Sequence, residues 1–276
     1  MNFYHSVSSN KAITLDKPLD VFTTDVAAWS VRKVRSSYTG YCMEVYNGTS
    51  YSDIGFDSNG DLDASAIATH CGSNDGFVSK WYSQGTTTKT FYQTDSTLMP
   101  QIYDGTSQSV FLEGGKPQIQ GTSVAAGTGN TYMNMSSSES INGAPVAHNF
   151  IVAQRTSTSV SDLNSIYSWG QAGNQNDAKY ATQGSNSGGA GTGTSLYIDG
   201  IANSSTKKNQ FSGALGLNNR IFNSIQNFYR DGQSVTVLGV TVGSIHHLQE
   251  ILIFSEDLSL YREIIEKNQN SYFSVF

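Results

Sequence analysis

The sequence predicts an all-β fold: one jelly-roll sandwich with a few short helices and a closing C-terminal helix. Three observations lead there. Only 14% of the 276 residues are charged and 27 are glycine, and Ser, Thr, Asn and Tyr fill much of the rest, a mix that favours strands and turns. From residue 110 onward, short apolar runs recur between Gly, Asn, Asp and Ser, the rhythm of a sandwich or barrel. The chain then ends in a helical spacing of apolar residues. A chain of this length buries a sizeable core without disulfide or metal staples.

Residues 1–26 carry no clear period, Pro18 interrupts them, and their apolar residues are scattered. They read as an extended N-terminal arm that orders on a partner, with the sandwich occupying residues 27–276. The next block, 28–85, reads as a short helix (AWSVRKV), a tight turn, a strand, an Asp/Asn/Gly loop, a second short helix (DASAIATH) and a strand ending in Trp81-Tyr82-Ser83-Gln84. The basic cluster Arg32, Lys33 and Arg35 then lies on the solvated face of the first helix.

Further strands are expected at VFL (110–112), TYMNM (131–135), FIVAQR (150–155), SIYSW (165–169), SLYIDG (195–200), FYRDG (228–232) and EILIF (250–254). FIVAQR and EILIF are dense enough in apolar residues to lie near the middle of a sheet. The two Asp-Gly pairs supply the positive φ angles of two-residue hairpins. GSNSGGAGTGT (184–194) is a low-complexity loop, and no Lys-Ser/Thr follows it as a phosphate-binding loop demands. At the end, Leu258, Tyr261, Ile264 and Ile265 mark an amphipathic helix of about 12 residues, with Ser255 or Ser259 placed to cap it.

Charge and motifs exclude several functions. A net charge of −6 argues against a nucleic-acid footprint. No stretch of about 18 apolar residues offers a membrane span. MNFYHSVSSN lacks the basic and apolar regions of a signal peptide. Cys42 and Cys71 are too few for a disulfide framework and read as buried thiols of a reducing cytoplasm, although they could pair. Asp57, Asn59 and Asp61 alternate as calcium ligands can, but Leu62 and Ala68 stand where an EF-hand needs Gly and Glu, so a turn and an Asp63 helix cap account for them better. No other metal or cofactor site is expected: His246 and His247, adjacent on a strand, point to opposite faces. A glycosidase needs two carboxylates across a sugar, and from residue 110 to the final helix only Glu113, Glu139, Asp162, Asp177, Asp199, Asp231 and Glu250 are at hand. Sugar binding needs less: aromatic faces and polar groups, for which Tyr167, Trp169, Tyr180 and Tyr197 are the candidates.

The 28–85 block resembles two relatives. One is the arabinofuranosidase B catalytic domain, with its helix, Ser-Tyr-x-Gly, acidic loop and Tyr-Asp-Gln-Ser-Gly strand. More similar still are concanavalin A-like, laminin-G-like domains of bacteriophage virion proteins, through SSYTG, DIGFDSNGDLD, DGFVSKWYSQG, PQI (100–102), GKP (115–117) and the ending QEILIFSEDLSLYREIIEKNQNSYFSVF. The resemblance implies a concanavalin A-like sandwich in a non-enzymatic virion structural protein, either a head decoration or a tail or fibre component. Such a protein would be assembled in the host cytoplasm, held to other virion proteins through residues 1–26, self-associated as a homo-oligomer, and able to touch host surface glycans. Two departures stand out. Ser83 replaces the family's Asp, and the arabinofuranosidase Cys-Cys and nucleophile Glu have no match near SIYSWGQAGNQNDAKY, so no catalytic residue is carried over. The alternatives are a glycoside hydrolase of arabinofuranosidase type and a free lectin-like carbohydrate-binding module.

Overall fold

The computed structural model describes residues 16–86, 89–121, 131–135, 146–155, 165–169, 179–181, 195–202, 219–227, 235–237 and 246–276. Among them the strands are β1 (Asp25–Ser30), β2 (Met43–Tyr46), β3 (Tyr51–Ile54), β4 (Gly76–Tyr82), β5 (Thr90–Tyr92), β6 (Gln101–Asp104), β7 (Ser109–Val110), β8 (Leu112–Glu113), β9 (Lys116–Pro117), β10 (Ile119–Gln120), β11 (Met133–Met135), β12 (Val146–Arg155), β13 (Ser165–Trp169), β14 (Lys179–Ala181), β15 (Ser195–Ile198), β16 (Ile201–Ala202), β17 (Asn219–Asn227), β18 (Val235–Val237) and β19 (His246–Phe254). Apart from the small β8–β9 hairpin they form one antiparallel hydrogen-bonded system with two wings.

The front wing runs β3–β2–β4–β5–β11–β18–β13–β14. In the back wing, β19 carries β1 and β10 one after the other along one edge and β12 on the other, and β17, β15 and β16 follow. Strand β6 joins the wings by pairing with both β4 and β10. FIVAQR and EILIF thus lie in β12 and β19, each paired on both sides, as their continuous apolar runs predict.

The wings pack face to face. Trp29 of β1 meets Phe91 of β5 with ring centroids 4.2 Å apart. Ala27, Ile151 and Ile251 from the back share one core with Trp81, Phe91 and Met133 from the front. At roughly 1.5–3 kcal/mol per fully buried large side chain, this core is the main source of stability.

AWSVRKV is not a helix. Residues through Ser30 are β1, paired with β19 from Asp25↔Phe254 to Ser30↔Glu250. Its alternation of Trp29 and Val31, both buried in the inner core, is a strand period rather than a helical one. Of the expected arm, only residues 16–26 are described. In its described part, the short helix Pro18–Val21 buries Leu19, and Phe22 follows it. Both pack on Ala28, Phe150, Leu252 and Phe254 of this chain's own back wing; residues 1–15 lie outside the described residues.

The DASAIATH helix spans Ala64–Cys71, and the Asp63 carboxylate caps it by accepting from the Ala66 N–H at 2.9 Å. The C-terminal helix is Arg262–Phe273, 12 residues long. Neither Ser255 nor Ser259 caps it: its N-cap is Tyr261, which makes no side-chain hydrogen bond, after a 3-10 turn, Ser259–Tyr261, whose first N–H donates to the Asp257 carboxylate at 2.8 Å. The helix lies on the outer side of the back wing and buries Ile265, Glu266, Gln269 and Phe273. Two of those four side chains are polar, and what satisfies them shapes the site below. Gly114 permits the close approach of the β8–β9 turn. Its φ is +59°, and an added Cβ would stand 2.1 Å from the Phe273 carbonyl oxygen. Cys42 and Cys71 are both buried free thiols, each pushed up by burial, Cys71 to about 11.

Candidate functional site

Glu250 sits on β19 with no solvent exposure. Its Oε2 accepts from Ser30 Oγ at 2.7 Å and Arg32 Nε at 2.8 Å; its Oε1 accepts from Arg32 Nη2 at 3.0 Å and Gln269 Nε2 at 3.1 Å. Arg32 also donates to Asn268 Oδ1 at 2.7 Å. Its guanidinium lies over the Tyr272 and Phe273 rings, 4.7 and 5.3 Å from their centroids. Arg32 is therefore a buried ion-pair partner, not the solvated surface residue that a helix here would make it. With both oxygens engaged, Glu250 clamps β1, β19 and the C-terminal helix together.

A second polar cluster joins the β15–β16 hairpin to that helix. Asp199 and Gly200 form the hairpin turn with φ of 50° and 78°, as an Asp-Gly pair predicts. Asp199 Oδ1 accepts the Ile221 N–H at 2.9 Å, and Oδ2 accepts Arg220 Nη1 at 2.5 Å. Across from it, Glu266 Oε2 accepts from Arg262 Nη1, and that guanidinium lies 4.0 Å from the Tyr197 ring centroid. Burial pushes the Glu266 carboxyl up to about 7, against the pull of Arg262; its Oε1 is buried without a hydrogen-bond partner. A carboxyl that keeps its proton near neutrality has the acidity of a general acid. Its carboxylate neighbour Asp199, however, is spent on the turn and on Arg220. As a glycosidase pair the cluster lacks a free second carboxylate. Of the four aromatic candidates, Tyr197 therefore has one ring face under Arg262.

Tyr167, Trp169 and Tyr180 lie on strands whose backbone alone is described. Tyr167 stands in register with Tyr180 on β14 and with Val237 on β18, and Trp169 with Val235. Val237 in turn pairs with Met133. The side chains of these three candidates lie outside the described residues. So do Glu139, Asp162, Asp177, Asp231, the second Asp-Gly turn and the low-complexity loop.

In the acidic loop, Asp57 Oδ1 accepts the N–H groups of Asn59 and Asp61 at 2.8 and 2.9 Å. Asp61 accepts the Tyr272 hydroxyl at 2.5 Å and Lys116 Nζ at 2.9 Å. Although burial alone would raise it, these partners hold Asp61 below the usual carboxylate range. The loop oxygens are thus turned to backbone, tyrosine and ammonium. No group of three or more His, Cys, Asp or Glu with metal-site geometry occurs among the described residues.

The Trp-Tyr-Ser-Gln strand end is a seam. Ser83 Oγ accepts the Ala28 N–H at 3.0 Å; Gln84 Oε1 accepts the Val34 N–H at 2.8 Å and its Nε2 donates to the Arg32 carbonyl at 2.8 Å. Each bond ties a side chain just after β4 to backbone in or just after β1. His247 is held by Gln118 Oε1 at 2.9 Å and Gln154 Oε1 at 3.1 Å, and burial lowers it to about 4. The side chain of His246 is outside the described residues.

Sequence reasoning missed two features. The Arg32–Glu250 pair, 218 residues apart in sequence, has no local signal. The outward row on β2 and β3 had one: MEVY and YSDI alternate in burial around an Asn-Gly turn, so Tyr46 and Tyr51 face away from the core beside Glu44 and Asp53.

No family model matches the sequence, and no curated protein does. Solved structures do. An arabinofuranosidase complexed with arabinofuranosyl-α-1,2-xylobiose aligns over 88% of this chain with a TM-score of 0.51 at 14% identity. A GH54 α-L-arabinofuranosidase soaked with a cyclic sulfate inhibitor aligns over 91% with a TM-score of 0.46 at 15% identity. In both cases this chain spans 62% of the other's length. The first likeness establishes the fold: a mostly antiparallel β-sandwich of the arabinofuranosidase kind. It also corrects the expected function. That likeness is to an arabinofuranosidase and nothing in it points to a phage virion domain, which overturns the expectation of a non-enzymatic virion structural protein.

Proposed function

We propose that this chain is a glycoside hydrolase of the arabinofuranosidase type. The observation that supports it is the sandwich shared along 88% of the chain with an arabinofuranosidase. Such a reaction needs one carboxyl to protonate the leaving group and a second to attack or to activate water. Elimination narrows the choice. Glu250 is fully engaged with Arg32, Ser30 and Gln269, and Asp199 with Arg220 and a backbone N–H. The acid and its partner are then sought among Glu113, Glu139, Asp162, Asp177 and Asp231, with Tyr167, Trp169 and Tyr180 as the rings that stack on the sugar.

The test is release of 4-nitrophenol from an aryl α-L-arabinofuranoside. Turnover is expected, and a single Glu→Gln or Asp→Asn change at one of those five carboxylates should cut kcat by about two to four orders of magnitude with the melting temperature unchanged. Folded protein without turnover overturns the proposal; retention on polysaccharide without turnover would instead favour the lectin-like module.

A further inference from the structure

We propose that the outer face of the front wing, built on β2, β3, β4 and β5, is a docking platform for an extended neutral polysaccharide. Side chains alternate along β2, β3 and β5, and β4, through a register shift, sets Phe77 and Lys80 opposite Tyr46 and Glu44. Tyr46 stands opposite Tyr51 and Phe77; Glu44 stands opposite Asp53 and Lys80; Lys80 stands opposite Tyr92, and Tyr92 opposite Asn134. Tyr51 is 52% exposed and Tyr92 37%. Asp53 is exposed on it as well.

The chemistry selects the occupant. Tyr46 and Tyr51 stack with centroids 4.6 Å apart and planes 30° apart, which holds both rings in place without a ligand. Two strand spacings of about 4.8 Å and two residues of about 3.4 Å separate Tyr46 from Tyr92, roughly 12 Å in all. That suits a chain of several sugars rather than one. Between the rings lie groups that donate and accept: Lys80 Nζ is 2.9 Å from Glu44 Oε2, and the Tyr82 hydroxyl donates to Asp53 at 2.7 Å. Flat rings for C–H faces and paired polar groups for hydroxyls are what a polyhydroxylated chain needs.

Charge decides against other occupants. The patch holds two carboxylates against one ammonium, in a chain of net charge −6, so nucleic acids and acidic polysaccharides are repelled. Its exposed rings carry hydroxyls and alternate with charges, unlike the apolar patch that a protein or lipid surface would favour.

The platform goes beyond the proposed hydrolysis and stands on different residues. The test is affinity electrophoresis of the full chain in native gels containing soluble arabinoxylan, arabinan or alginate. Retardation by at least one neutral polysaccharide is expected. The double substitution Tyr51→Ala and Tyr92→Ala should weaken it about tenfold or more. Tyr51→Phe, which keeps the ring, should retain it, and turnover of the small aryl arabinofuranoside should be unchanged in all variants. Equal retardation of wild type and double variant, retardation by alginate alone, or none in any gel would overturn the platform. Loss of turnover with retention intact would strike only the hydrolase reading.

Discussion

The outer faces of the two wings draw on similar residue types and use them differently. On the back wing, Glu250 faces the C-terminal helix, and Arg32, Ser30 and Gln269 close around it with no solvent left. On the front wing, Glu44 meets Lys80 at the surface, where the ammonium side chain is 42% exposed. A carboxylate under a helix becomes a structural clamp, because removing its partner strands a charge away from water. On the open face Glu44 is also engaged, by Ser79 Oγ and Lys80 Nζ, but the ammonium it holds still reaches solvent and a ligand. Coverage by the last helix, more than residue type, separates scaffold from candidate surface.

That contrast can be broken experimentally. The largest effect is expected at the clamp: Arg32→Ala should destabilise by about 3–5 kcal/mol in urea unfolding, since it leaves Glu250 buried and unpaired. The compensated pair Arg32→Met with Glu250→Leu should recover much of that loss; if it does not, the clamp does more than satisfy its own charges. Next, Phe273→Ala, which removes the ring under Arg32 and detaches the helix from the core, should cost about 3–5 kcal/mol. Melting temperature reads it directly.

The third test is pH. Glu266 is raised in the folded state to about 7, so the native state binds the extra proton, and stability falls as pH rises from the unfolded carboxyl range toward about 7. Glu266→Gln should flatten that slope. His247 is lowered to about 4, so its contribution is present above the unfolded histidine range and is lost as pH falls toward 4. His247→Gln should soften the acid limb only. Thermal melts from pH 4 to 8 on the two variants separate them, and identical profiles would remove both assignments. The smallest effect belongs to the open face: Lys80→Ala should change stability by less than about 1 kcal/mol, as exposed ion pairs do. A larger loss would mean that the face is structural after all.

Much of the fold is legible in the sequence because its signals are local. The apolar runs of β12 and β19 require a central position. Asp199-Gly200 requires a hairpin turn, and Asp63 announces the helix it caps. The candidate site is less legible. AWSVRKV passes for a helix because seven residues hold too few periods to separate spacings of two and 3.6. The basic cluster is misplaced with it, since Arg32 finds its carboxylate 218 residues later.

By itself the sequence determined the β-rich class, the hairpin turns, the closing helix and the excess of acid over base, all of which depend on neighbours in the chain or on composition. Only the tertiary structure decided which charges are scaffold and which remain open. Burial is a property of what packs on top: the C-terminal helix covers Glu250, whereas Tyr51 stays open to solvent. The same packing joined the described end of the N-terminal segment to this chain's own core, because Leu19 and Phe22 share a cluster with Phe150, Leu252 and Phe254, more than a hundred residues away.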